Sequence, residues 1–138
     1  MRSILRPGLV LLMVALWAVG VLEAQEGLTK SDRRGPVTVS ITLIAPPAIG
    51  APVKAKVVLY THSVALDGVK FEDAVALRTP DGSDIAPADV EQATGSGHHR
   101  EAVLVFPPLA AAEALRIVVK NVGGVAERSF SWELPPAR

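Results

Sequence analysis

Between residues 37 and 43, Val37, Val39, Ile41 and Leu43 alternate with Thr38, Ser40 and Thr42. A period of two places the four aliphatic side chains on one face of an extended chain and the hydroxyls on the other. A strand of this kind satisfies its backbone by pairing with other strands. It hides its apolar face only against a second layer. This stretch therefore commits the chain to sheets, and the residues that follow are punctuated to match.

The loop at 45–52 carries three prolines and a glycine, and a second strand is expected from Val53 to about Val64, with Ala55, Val57 and Leu59 on one face. After the turn Leu66-Asp67-Gly68, a third strand is expected over 71–79. Pro80-Asp81-Gly82-Ser83 is a strong turn, because proline presets φ and glycine tolerates positive φ. Residues 84–97 are mixed, with Ile85 and Val90 as inward anchors, and 102–106 is a short apolar strand stopped by Pro107-Pro108. One helical turn is expected over 109–114. A hairpin then runs through the turn at 121–124, with Ala126, Arg128, Phe130, Trp132 and Leu134 sharing a face of its second arm. Six or seven strands in about 100 residues predict an all-β fold, an immunoglobulin-like antiparallel β-sandwich in one domain. A small barrel is the alternative.

The N-terminus follows a different rule. Arg2 and Arg6 precede an unbroken apolar run at 9–22, and a polar stretch follows it. That order is an export signal. Fourteen helical residues reach about 21 Å, short of the roughly 30 Å hydrocarbon core, so a removable signal helix is favoured over a spanning anchor. The expected organisation is a signal peptide at 1–24, with candidate cuts after Ala24 and after Gly20, a flexible leader at 25–35 and a sandwich at 36–138. An uncleaved N-terminal helix tethering the domain is the alternative. Export places the domain in the periplasm or outside the cell.

Losing Arg2, Arg6 and Glu23 leaves twelve basic and thirteen acidic residues, a net charge near −1. Such a surface has no field to attract nucleic acid or an anionic membrane. The chain has no cysteine, so it has neither a disulfide framework nor a lipidated cysteine, and packing alone must hold it.

The three histidines are His62, at the end of the second strand, and His98-His99, just before the strand at 102–106. If those strands pair, His62, one of His98 and His99, and Asp67 could meet at one rim of the sandwich. Imidazole and carboxylate donors suit Cu(II) or Zn(II). The competing reading is a polar cluster bonded to backbone groups or to Glu101, and it carries more weight. Asp81, Asp84, Asp89 and Glu91 do not follow the spacing of a calcium loop. Asp67, Glu72 and Asp73 lack an aromatic cleft for glycoside chemistry. Ser63 beside His62 has no nucleophile-elbow setting. No catalytic residue and no cofactor is expected.

Three segments carry a resemblance: ThrHisSerValAlaLeuAsp at 61–67, GlyHisHisArgGluAlaValLeuValPhe at 97–106 and ValGlyGlyValAlaGluArgSerPheSerTrpGluLeu at 122–134. They resemble a group of small exported bacterial and archaeal β-sandwich proteins, which implies the fold and compartment and assigns no activity. Gly97-His98 before a late strand is similar to an element of the periplasmic copper carriers of the copper-resistance type. Those proteins place a histidine near the mature N-terminus, whereas none precedes His62 here, and Met1 and Met13 both lie in the signal. That resemblance implies copper held by His62, Asp67, His98 and His99. The leading expectation is an exported non-catalytic binding or accessory module with a protein partner in the cell envelope. A periplasmic copper or zinc protein is the runner-up.

Overall fold

The computed structural model describes residues 27–110, 112 and 114–135, so the expected signal at 1–24 lies outside the described residues. Nine strands form two antiparallel sheets. They are β1 (Thr29–Asp32), β2 (Val37–Leu43), β3 (Val53–Thr61), β4 (Val75–Arg78), β5 (Asp84–Ile85), β6 (Asp89–Ser96), β7 (His99–Phe106), β8 (Ala114–Val122) and β9 (Val125–Glu133). The five-stranded sheet has the order β1-β2-β3-β7-β6 and the four-stranded sheet β5-β4-β8-β9. Setting β1 aside, β2-β3-β7-β6 follows the A-B-E-D order of an immunoglobulin sandwich, and β5-β4-β8-β9 follows C′-C-F-G. The expected fold class is therefore present.

The core follows from the alternation. Val37, Val39, Ile41 and Leu43 of β2 are buried, as are Val53, Ala55, Val57 and Leu59 of β3 and Ala102, Leu104 and Phe106 of β7. Against them pack Val75 and Leu77 of β4, Leu115, Ile117 and Val119 of β8, and Phe130 and Trp132 of β9. The β8–β9 hairpin turns on Gly123 and Gly124, at φ +61° and +74°. This two-residue turn with both φ positive matches the twist of the strands it joins. A Cβ on Gly123 would also sit 2.7 Å from Val37 Cγ2, so glycine is required there twice over.

Four expectations need correction. The described residues form nine strands rather than six or seven, because polar or very short edge strands carry little apolar pattern. Residues 29–32, expected inside a flexible leader, form β1; its Thr29 and Ser31 bond Thr42 and Ser40 of β2 through their hydroxyls at 2.9 and 2.7 Å. The strand expected over 71–79 is shorter. Its first part is a one-turn helix, α1 (Phe71–Ala74), whose Phe71 is buried, and the strand proper is β4. The helical turn expected over 109–114 is absent at Leu109, Ala110 and Ala112, which are irregular.

The first and last strands are joined by an ion pair between a buried arginine and a partly exposed aspartate. Arg128 points inward from β9 and is fully buried; its Nη1 donates to Asp32 Oδ1 at 3.0 Å and its Nη2 to the Val122 carbonyl at 3.1 Å. Arg34 donates to the other Asp32 oxygen from Nε at 2.9 Å and Nη2 at 2.6 Å. Asp32 thus ties the edge of one sheet to the edge of the other.

Candidate functional site

The premise of the predicted rim holds, because β3 pairs with β7 in antiparallel register, Tyr60 opposite His99. The loop after β3 is then stitched to the β6–β7 turn. Thr61 N–H donates to the His98 carbonyl at 3.0 Å, and Leu66 N–H donates to the Gly97 carbonyl at 2.8 Å. Asp67 Oδ1 accepts the Gly97 N–H at 3.0 Å. Asp67 therefore holds backbone. From β7, Arg100 points under this loop, where Nη1 donates to the carbonyls of Leu66 and Val69. Its guanidinium lies 5.0 Å from the centroid of the Phe71 ring. Gly95 in β6, at φ +88°, lies against the His99 backbone, where any Cβ would collide with the carbonyl oxygen.

The predicted donors separate on this frame. His98 sits at the tip of the two-residue turn and is exposed. His62 and His99 both adjoin Tyr60 on the outer face of the five-stranded sheet, His62 two residues on along the chain and His99 across from it on β7. Tyr60 Oη shares a hydrogen bond of 3.0 Å with His62 Nε2. The Tyr60 ring meets the His62 ring edge-on at a centroid distance of 4.8 Å and the His99 ring at 6.3 Å. His99 Nε2 lies 3.3 Å from Glu101 Oε2, and Lys56 Nζ lies 3.4 Å from the other Glu101 oxygen. The His99 hydrogen bond, helped by the Lys56 ammonium, holds the Glu101 carboxyl below its ordinary pKa. Among the described residues no group of three or more His, Asp or Glu side chains stands close enough to hold a metal ion.

Sequence reasoning missed Tyr60, the centre of this patch. It is 42% exposed and the only tyrosine in the chain. Its placement on the outward alternation of β3, beside Lys54 and Lys56, was the available signal. The acidic residues considered for calcium are engaged otherwise. Asp81 accepts from Ser83 N–H at 3.1 Å and from the Thr79 hydroxyl. Asp84 sits between Arg78 Nε at 2.8 Å and Lys120 Nζ at 2.9 Å. Arg78, then Lys120, lowers the Asp84 pKa to about 2.

A second feature stands at the opposite end of the sandwich. The loop at 44–52 and its flanks enclose an apolar hollow of about 290 Å³, lined by Leu43, Ala45, Pro46, Pro47, Pro52 and Val53 among others. Ile44 and Ile49 project beside it, 54% and 49% exposed. No known protein family, curated protein or solved structure matches this chain.

Proposed function

We propose that this chain is an exported, non-catalytic β-sandwich that serves as a binding or accessory module for a protein partner in the cell envelope. The observation that carries the reading is the exposed Tyr60, braced between His62 and His99 on a regular strand surface. A rigid amphipathic ring held in one orientation loses little entropy on contact, which is why tyrosine recurs among residues that dominate interfaces. The hydroxyls of Thr38 and Ser40 on the neighbouring strand, and the charged pair Lys56–Glu101, would form the polar surround. The resemblance of 61–67, 97–106 and 122–134 to small exported sandwiches supports the compartment.

The test is saturable, specific capture of one envelope protein by the labelled full chain. Tyr60→Ala is expected to weaken that capture at least tenfold, while Ser129→Ala on the other sheet leaves it unchanged. Failure to find a saturable partner, or indifference to Tyr60→Ala, removes the reading.

The same patch supports a second reading, in which His62 and His99, with the Tyr60 and Glu101 oxygens nearby, take Cu(II) or Zn(II) after side-chain rotation. Calorimetric titration is then expected to give one site tighter than about micromolar. It is lost in His62→Ala/His99→Ala and kept in His98→Ala and Asp67→Asn. No such site, or a site insensitive to the double substitution, sinks the metal reading.

A further inference from the structure

An apolar corner of the fold is also where the described chain begins. Thr29, the first residue of β1, pairs with Thr42, two residues before Ile44. Leu28, just before β1, packs against the core. The described chain therefore begins beside the loop at 44–52. From Leu43 to Val53, eleven successive residues carry neither a charge nor a hydrogen-bonding side chain. Three prolines stiffen this loop, and Gly50 N–H fastens it to the Leu109 carbonyl at 2.9 Å, next to Pro107 and Pro108. Ile44 and Ile49 are thus held out in water by a loop that cannot easily fold them away.

Five residues lie between Leu22, the end of the apolar run, and Leu28, so six Cα–Cα steps join them. Fully extended they span no more than about 22 Å. When the run at 9–22 is buried in a bilayer, the corner is kept within that distance of it. Two half-exposed isoleucines alone give a hold weaker than that of a single acyl chain, and stable attachment takes two holds.

We propose that in the uncleaved protein, the alternative to signal removal, this corner seats the domain on a lipid bilayer, with Ile44 and Ile49 inserted at the interface next to the N-terminal run. The hold is apolar rather than electrostatic. The one charged side chain lining the corner, Lys54, has Glu91 at 3.5 Å. Seating here leaves the Tyr60 face clear, so the surface and the partner reading fail independently.

The absence of cysteine allows single-site labelling of the full chain. A polarity-sensitive fluorophore on Ile49→Cys is expected to shift to shorter wavelength on phosphatidylcholine vesicles and to be quenched by brominated acyl chains. The same label on Gly68→Cys, at the opposite end and in open space, should do neither. Adding anionic lipid should change the signal less than twofold, and Ile44→Asp should reduce the shift at residue 49 at least threefold. A label at residue 49 that stays water-like on vesicles overturns the proposal. So does one equally shielded without lipid, which would mean that the run at 9–22 or a second copy covers the corner.

Discussion

Asp32→Asn should lower the unfolding free energy near neutral pH by about 3–5 kcal/mol, the cost of leaving a buried charge without its partner. Arg128 is fully buried, and one of its nitrogens, Nε, already has no acceptor. Asparagine removes the counter-charge and leaves one acceptor oxygen where Arg128 and Arg34 now use two, so the buried guanidinium keeps only neutral acceptors. Arg128→Met should cost much less, about 1–2 kcal/mol, because it removes the charge and the orphan donor together while Asp32 keeps Arg34. The double variant should resemble Arg128→Met alone. Urea denaturation of the four proteins measures this coupling. Equal losses for the two single variants, or a loss under about 1 kcal/mol for Asp32→Asn, would show that the pair does not clasp the sheets.

The same carboxylate gives the sign of the acid response. Hydrogen bonds from Arg34, then its charge and that of Arg128, lower the Asp32 pKa to about 2, whereas an unfolded aspartate titrates near 3.9. A depressed carboxyl adds stability that is complete above roughly pH 5 and disappears as the pH falls through 4 toward 2. Asp84, also at about 2, adds a second contribution of the same sign. Asp32→Asn should therefore flatten the acid limb of stability against pH and leave the Asp84 portion in place.

Phe71→Ala should cost about 3–5 kcal/mol, in the range of other buried aromatic truncations, and Phe71→Leu less than about 1.5 kcal/mol. The ring is 2% exposed and belongs to the main core. Arg100 rests on it, and Arg100 carries the carbonyls of Leu66 and Val69. The alanine variant should therefore lose amide protection at Leu66 and Val69 more than at Val57 or Ile117. Hydrogen exchange reads the difference. Uniform loss of protection would mean that Phe71 supports the core without supporting the histidine rim.

The physics of burial explains which elements could be read in advance. The alternation in β2 and β9 is legible because each strand has one wet and one dry face. Arg128, Phe130 and Trp132 share the buried face of β9 as their spacing predicts, whereas Ala126 is exposed; the carboxylate that meets Arg128 is Asp32, and the cation over the Trp132 ring is Lys30, at 5.9 Å. β1 was hidden because an edge strand of Thr-Lys-Ser-Asp buries nothing apolar, and its hydroxyl ladder exists only once β2 lies beside it. β6 was hidden by its exposure and by a bulge between Glu91 and Thr94, with Gln92 at φ +52°. At the candidate site, sequence could place histidines near one rim but not choose their faces. The tight turn at Gly97-His98 sets His98 apart, and the β3–β7 register sets His99 opposite Tyr60.

The Asp32–Arg128 pair joins residues 96 positions apart. The strand made first is locked by the strand made last, so closure of the sandwich waits for nearly the whole chain. Loop-closing contacts of that span slow folding. A polypeptide emerging from its N-terminus would carry β1 unclasped until β9 has also emerged, and through that interval it would remain threadable. The clasp that makes the finished domain rigid is also a delay that keeps the unfinished one pliable.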